Sequence, residues 1–245
     1  MRITVFICCY NSEAYIKQVL DSIYDFADKI VILNGSYNPK IRPEISLDST
    51  AEIIFNYPDK KKKIYHEVMW SQDEVTHRNR IFFHVIPLIA DWLFIVDDDE
   101  VYHKDDLVKL RKFLEEDRPI EGYFIHSLDF VNSFDWYRKN YHRRLFRVQE
   151  SMKFYGINRV QYGKRKYIVR HFAPIVKYHY SHVCGPEKAK IKLAEINHKS
   201  PWRYANGKFM RDDLRVNPFK GEHPAVMKNH PYRSWKWQPP ENCLS

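Results

Sequence analysis

The chain has 245 residues, 44% hydrophobic and 16% aromatic, which excludes a disordered protein and implies a substantial core. No apolar stretch approaches the roughly 20 residues of a membrane-spanning helix, and the opening apolar run reads as too short for a signal peptide. Charge is segregated: residues 1–137 carry a net −8 and residues 138–245 a net +17, so the second half suits a polyanionic or phosphate-bearing partner.

In chain order, Ile3–Cys9 is a β-rich run. Ser12–Phe26 has helical spacing at Tyr15, Ile16, Val19, Leu20 and Ile23, with Ser12 placed as N-cap. Lys29–Leu33 is a second buried strand. Asn34–Leu47 contains Gly35, Pro39 and Pro43 and reads as a loop. Ser49–Asn56 is a short helix, Lys63–Met69 a third strand, and Asp73–Ala90 a longer helix capped by Asp73. Trp92–Val96 is the fourth strand and Lys104–Glu116 the next helix. After Pro119 the rhythm changes to strands at Gly122–Phe130, Arg143–Val148, Tyr167–Phe172 and Ile175–Tyr180, then a helix at Pro186–Asn197. The final stretch, rich in Pro, Trp, Tyr and His, reads as irregular chain wrapped over the body. Strands alternating with helices predict a mostly parallel sheet covered on both faces. Cys8, Cys9, Cys184 and Cys243 form no metal spacing or disulfide framework, which makes a reducing cytoplasm the default location.

The most informative segment is Trp92-Leu93-Phe94-Ile95-Val96 running into Asp97-Asp98-Asp99-Glu100. A buried strand that ends in carboxylates puts them where such sheets open to ligands. Four adjacent carboxylates repel one another, and a divalent cation relieves that; oxygen ligands suit Mg²⁺ or Mn²⁺. The competing reading is a solvated acidic turn at a helix start. Alternation along an extended chain would send Asp98 to the side opposite Asp97 and Asp99.

Several segments in this order resemble the family 2 glycosyltransferases of the GT-A fold. Val5-Phe6-Ile7-Cys8-Cys9-Tyr10-Asn11-Ser12-Glu13 resembles their first strand and turn, and Val31-Ile32-Leu33-Asn34-Gly35-Ser36 the strand that usually ends D-D-G-S. Asp48-Ser49-Thr50 resembles D-G-T, Arg78-Asn79 the R-N of the helix before the metal strand, and Asp97-Asp98-Asp99-Glu100 the D-x-D-E signature. Tyr178-His179-Tyr180-Ser181 with Pro186-Glu187-Lys188, and Pro218 through Met227, resemble the late H-Y, P-E-K and H-P-A-V-M segments of one branch. Two departures stand out. The acidic residue expected near the nucleobase is Asn34, and about eleven residues, Tyr37–Leu47, are inserted before Asp48.

The resemblance implies an α/β, Rossmann-like GT-A fold: a mostly parallel central sheet with helices on both faces and a mixed, strand-rich C-terminal half. It implies one catalytic domain over 1–245, with a nucleotide-sugar-binding half (1–118), an acceptor and metal half (119–198) and an irregular extension (199–245). The implied activity is metal-dependent transfer of a hexosyl or pentosyl group from a nucleotide-diphosphate sugar, UDP favoured, to a hydroxyl acceptor. Donor-binding residues would be Tyr10, Asn11, Asn34, Asp48, Arg78, Asn79, Asp97 and Lys188. Mn²⁺ or Mg²⁺ would be held by Asp99 directly, by Asp97 directly or through water, and by His179, with His182 near enough to replace it.

The chemistry is consistent on its own terms. A departing nucleoside diphosphate gains negative charge, which a divalent cation stabilises as a Lewis acid. Arg78, Lys188, Lys190 and Lys192 are candidate phosphate partners, and their helical spacing lets at most two of the lysines point inward. Inverting transfer needs a general base; Asp135, beside Trp136, and Asp129, at a strand end, are the two candidates, while retention needs neither. The basic half suits an anionic acceptor: a glycan or lipid-linked glycan, or DNA carrying a hydroxylated base. A neutral glycan would instead stack on Trp136, Trp202, Trp235 or Trp237. A cytoplasmic location is expected, with the inner membrane surface as the alternative. A metal-dependent nuclease or nucleotidyltransferase, and a binding module without activity, are the other readings.

Overall fold

Strict alternation decides which core each strand residue joins. In β1 (Ile3–Cys9) and β2 (Lys29–Asn34), Ile3, Val5, Ile7, Ile30 and Ile32 face one core, while Phe6, Val31 and Leu33 face the other. Such strands read as continuous apolar runs because both faces are covered. The structure, a computed structural model, describes residues 1–38, 45–82, 90–116, 119–156, 158–195 and 201–244. Over the first core lie α1 (Ile16–Ile23), through Ile16, Val19, Leu20 and Ile23, and α4 (Lys104–Glu115), through Leu107, Leu110 and Leu114. Between them in sequence come α2 (Thr50–Phe55) and α3 (Glu74–Asn79). The second core is closed by Ile81 and Phe82 after α3, and by Met152 and Phe154 of β8 (Met152–Gly156). β8 forms a small antiparallel sheet with β9 (Arg159–Tyr162) and β10 (Arg165–Lys166).

Among the described residues the main sheet has nine strands. β3 (Ile64–Val68), β2, β1 and β4 (Trp92–Asp97) are parallel neighbours. β7 (Trp136–Arg147) runs antiparallel to β4, and β6 (Gly122–Val131) antiparallel to β7. β11 (His171–His182) is parallel to β6, and β5 (Glu100–Val101) closes the far edge antiparallel to β11. β4 and β7 pair only through Trp92–Phe94 and Leu145–Arg147. Beyond Phe94 the two strands part. The chain after β4 turns through Asp98 and Asp99, and Glu100 pairs with His179 on β11. The sheet therefore curls around a fork, and Arg144 fills it, bonding Asp97 on one side and Glu100 on the other (2.5 Å to Glu100). Arg144, Glu100 and the nearby Lys177, which also bonds Glu100, are all buried.

Several elements differ from the sequence reading. Ser12 is not the N-cap of α1: the helix begins at Ile16, and Ser12 instead accepts from the Tyr15 and Ile16 amides through its carbonyl. Asp73 does cap α3, accepting from the Thr76 amide, but the described helix ends at Asn79, and residues 83–89 of the expected Asp73–Ala90 helix lie outside the described residues. Arg143–Val148 is the end of the much longer β7. Tyr167–Phe172 and Ile175–Tyr180 are replaced by the single β11, which absorbs Pro174 where its register with β6 shifts between Phe172 and Val176. The helix expected over Pro186–Asn197 is α5 (Pro186–Glu195); residues 196–197 lie outside the described set, as do 39–44 of the expected loop.

The C-terminal stretch wraps over the body, as its composition suggests. It contributes a hairpin, β12 (Arg203–Ala205) with β13 (Lys208–Met210), and β14 (Asn217–Pro218), which pairs with β7. His223 Nε2 donates to the Phe134 carbonyl (3.0 Å), so its Nδ1 accepts from the Tyr180 hydroxyl (2.7 Å). Burial depresses its pKa to about 4 and keeps this tautomer neutral. His230 Nε2 donates to the Ala14 carbonyl (2.7 Å), tying the tail to the turn before α1. Among the described residues no helix is long and apolar enough to cross a membrane.

Removing one member of a buried ion cluster strands the others. Glu100→Gln is expected to destabilise the protein by about 3–5 kcal/mol, read as a lower urea midpoint with an unchanged slope. An unaltered midpoint would show that Arg144 and Lys177 do not depend on Glu100.

Candidate active site

The acidic motif lies at the carboxyl end of β4, beside the ends of β1 and β2. A cavity of about 440 Å³ opens there. One wall is the turn after β1, with Asn11 and Ser12; the facing wall is α5, with Lys188 and Lys192; Asp98 and Asp99 line it, and Tyr232 of the C-terminal stretch stands at its edge. Both Asp98 and Asp99 face the cavity, so Asp98 does not point away as alternation predicts. The reason is local: β4 ends at Asp97, and residues 98–99 form a turn, where period-two alternation no longer holds.

Each carboxylate of the motif meets at least one cation, and Asp97 and Glu100 share Arg144. Asp97 bonds Arg144 and lies 3.7 Å from Arg78. Asp98 accepts from the Ser12 hydroxyl and from Lys188 (3.4 Å). Asp99 bonds Lys192 and stands 3.1 Å from His179 Nε2. Glu100 bonds Arg144 and Lys177. Burial alone would raise the pKa of Asp99, but Lys192 and His179 outweigh it and hold the carboxyl well below the usual range. The same balance, with Arg144 and Lys177 as the cations, keeps Glu100 ionised.

His179 lies between two carboxylates. Its Nε2 faces Asp99, and its Nδ1 faces Asp129 at 3.0 Å. Burial and the Lys177 charge push its pKa down, yet Asp99 and Asp129 more than offset them and raise it to about 9. The register explains the second contact: His179 on β11 is directly opposite Asp129 on β6. Asp129 also accepts from the Ser127 hydroxyl and from Asn140 Nδ2 (2.8 Å).

These contacts redraw the two expected general bases. Asp129 is only 5% exposed and is engaged by three donors, His179 among them; it does not line the cavity. Asp135 pairs with Lys236 at 2.9 Å on the exposed side and does not line the cavity either. His182, the alternative metal ligand, stacks on Trp202 with centroids 3.8 Å apart, and burial depresses its pKa to about 3.

The expected donor-binding residues divide into two groups. Asn11, Asp48 and Lys188 line the cavity. Tyr10 is buried and offers its carbonyl to Lys188. Asp48 caps the turn at α2, accepting from the Thr50 and Glu13 amides. Asn34 lies off the cavity wall, and Ser46 of the inserted loop links it to Asn11, donating to Asn34 Oδ1 (2.6 Å) and accepting from the Asn11 amide (2.8 Å). Asn11 holds φ 48°, a left-handed conformation that Asn tolerates better than most residues. Arg78 is buried against Glu74 (2.7 Å), with Asp97 beyond. Asn79 is structural: its side chain both donates to the Phe154 carbonyl and accepts from the Phe154 amide, locking α3 to β8. Lys190 points outward and pairs with Glu187.

The sequence reading missed Arg144 and Lys177. For Lys177 the available signal was a lone cation in an otherwise apolar strand run, Ile175-Val176-Lys177-Tyr178, since a buried cation requires a buried anion; Arg144 lies between Arg143 and Arg147 and carried no such signal.

Asp97, Glu100 and His179 each offer a ligand atom within 4.8 Å of one another, but Arg144 and Lys177 already neutralise the first two. Asp99 with His179 offers one carboxylate and one imidazole, with Asp99 on the cavity wall, but Lys192 occupies the other oxygen of Asp99. A two-cation nuclease centre needs several uncommitted carboxylates, and the cations on Asp97 and Glu100 leave too few here.

The profile of glycosyl transferase family 2 matches residues 4–183. The glycosyltransferase SunS from the SPbeta prophage of Bacillus subtilis (strain 168) is 29% identical over 157 residues, covering 63% of this chain and 33% of SunS; the same figures hold for SunS of Bacillus phage SPbeta. The chain thus spans about a third of the length of these relatives. Among solved structures, residues 1–349 of TarS from S. aureus align with a TM-score of 0.44 at 15% identity, over 82% of this chain and 67% of that one. Glucosyl-3-phosphoglycerate synthase from Mycobacterium tuberculosis, in complex with Mn²⁺, UDP and phosphoglyceric acid, aligns with a TM-score of 0.37 at 19% identity, over 52% of this chain and 43% of that one.

A histidine pKa raised by folding adds stability below its unfolded value, and that stability is lost as pH rises through the folded value. Without metal, the melting temperature is expected to fall by roughly 5 °C between pH 6.5 and about 9. His179→Gln should flatten this slope. A level profile in the unaltered protein would contradict the assigned contacts.

Proposed function

Because the chain belongs to glycosyl transferase family 2, we propose that it transfers a sugar from a nucleotide-diphosphate sugar, UDP favoured, to a hydroxyl acceptor. The observation that carries this reading is the cavity whose wall pairs Asp98 with Lys188 and Asp99 with Lys192, with His179 against the other oxygen of Asp99. Carboxylates opposite lysines suit a ligand that brings its own negative charge together with a divalent cation.

In this reading Asp99 and His179 hold Mn²⁺. When bound, the ion stabilises charge building on the departing diphosphate. Asp129 accepts from His179 Nδ1–H and so leaves Nε2 as the ligating atom, the usual division of labour for a metal-binding imidazole. Lys188 and Lys192 supply cations to the phosphate oxygens. Asn11 frames the nucleobase end of the cavity, backed by buried Asn34 through Ser46. Asp97, Arg78 and Arg144 form the floor that fixes the motif's direction. Tyr232 at the cavity edge, packed against Trp235 with centroids 4.1 Å apart and the rings tilted by 30°, offers an aromatic surface for a sugar ring.

The acceptor is proposed to be anionic, a glycan, a lipid-linked glycan or DNA with a hydroxylated base. Exposed cations of β9–β10 and the turn between them, Arg159, Lys164, Arg165 and Lys166, support that choice. Such binding should weaken steeply with added salt.

The test is a panel of nucleotide sugars with Mn²⁺, read as release of the nucleoside diphosphate. UDP-sugars are expected to turn over. Asp99→Ala should lower turnover at least about a hundredfold while the circular dichroism spectrum is retained. Turnover that survives this substitution, or survives a chelator, would remove the metal-assisted mechanism.

A further inference from the structure

α5 carries two lysines four residues apart, and each meets one carboxylate of the acidic turn. Lys188 faces Asp98, and Lys192 faces Asp99. The two contacts are not equivalent. Lys188 also bonds the Tyr10 carbonyl and lies 3.4 Å from the Ser12 hydroxyl, so it ties α5 to the turn after β1. Lys192 bonds one oxygen of Asp99 and the Ser181 hydroxyl (3.0 Å). The other Asp99 oxygen faces His179. The Lys192 ammonium therefore shares a carboxylate with the imidazole that suits a divalent cation.

We propose that Lys192 holds the place of the divalent cation in the donor-free enzyme, and that the metal must displace it to bind. This rests on the metal reading given above and adds what the metal has to remove. Asp99 is 4% exposed, and a buried carboxylate without a cation is strongly unfavourable. An ammonium on a flexible four-carbon stem can supply that charge and then swing away. Once a dication neutralises Asp99, like-charge repulsion acts on Lys192 at short range. The freed ammonium moves into the cavity beside Lys188, where a diphosphate is its natural partner.

This exchange couples the two ligands. Metal alone must expel the lysine into a cavity that offers it no new anion; metal with a nucleoside diphosphate expels it onto one. By linkage, each ligand strengthens the other by the same factor, and the lysine enlarges that factor by weakening the metal's binding alone.

The experiment is Mn²⁺ binding to the donor-free protein, read from the electron paramagnetic resonance signal of free Mn²⁺, with and without UDP. Lys192→Met is expected to bind Mn²⁺ at least about tenfold more tightly than the unaltered protein, and Lys192→Arg to bind as weakly as the unaltered protein because the competing charge remains. Saturating UDP should narrow the gap between Met and Lys. Equal or weaker Mn²⁺ binding by Lys192→Met would overturn the inference and leave the metal site standing. No Mn²⁺ binding by either protein, even with UDP, would overturn the metal reading and this inference with it. A second measurement needs no substitution. In the unaltered protein, acetylation of Lys192, followed by mass spectrometry with exposed Lys190 as reference, should quicken severalfold when Mn²⁺ is added. An unchanged rate would overturn the displacement.

Discussion

Arg144 sits where β7 leaves β4, and the geometry of the acidic turn follows from it. Three residues of pairing hold the two strands together, and then they part. Without a filler, that fork would leave a buried gap between Asp97 and Glu100. The guanidinium bonds both carboxylates and also the Asn158 side chain (2.9 Å). A planar fork of donors is suited to this bridging in a way a lysine is not. Burial opposes the charge on Arg144, but Asp97 and Glu100 overcome it and raise its pKa. The turn that carries Asp98 and Asp99 is thus pinned at both ends by one side chain.

Charge is layered outward from that pin. Deepest are Glu100, Arg144 and Lys177. Above them His179 links Asp129 to Asp99. At the cavity wall, Asp98 and Asp99 meet the two lysines of α5. The deep layer is compensated by strand and core residues that cannot move. The outer layer is compensated by long side chains on a helix, which can. A site that must exchange one cation for another needs this difference: fixed charge beneath, mobile charge above.

Much of the fold was legible because the parallel half obeys simple rules. β1, β2 and β4 were visible as apolar runs, and the acidic motif announced the carboxyl end of β4 through the abrupt change from Val96 to Asp97. Asp73 as a cap was readable from residue type alone. What failed had specific physical causes. Ser12 looked like a cap, but the chain needed one more turn before α1 and used the Ser12 carbonyl instead. Two strands were expected where one runs: Pro174 lies between the expected Tyr167–Phe172 and Ile175–Tyr180, and a register shift accommodates it within β11. Asp98 was given the wrong side because alternation was carried one residue past the end of a strand. Asp129 looked like a free base because a strand end suggests exposure, whereas pairing with β11 buries it against His179.

The charge asymmetry of the chain takes on a different meaning in three dimensions. The sequence places a net −8 in residues 1–137 and a net +17 in residues 138–245, and this invites a search for an external anion. Four of the basic residues, Arg144, Lys177, Lys188 and Lys192, meet Asp97, Asp98, Asp99 and Glu100 inside the protein. Part of the asymmetry is therefore an internal interface, in which one half supplies anions and the other supplies their counter-ions. Such an arrangement also registers the two halves, because a carboxylate set against the wrong cation would leave a buried charge unpaired. The cations available to an external anion are the ones this interface does not use. They include Arg159, Lys164 and Lys166 on the β9–β10 side, all exposed, and Lys192 of α5 once it leaves Asp99.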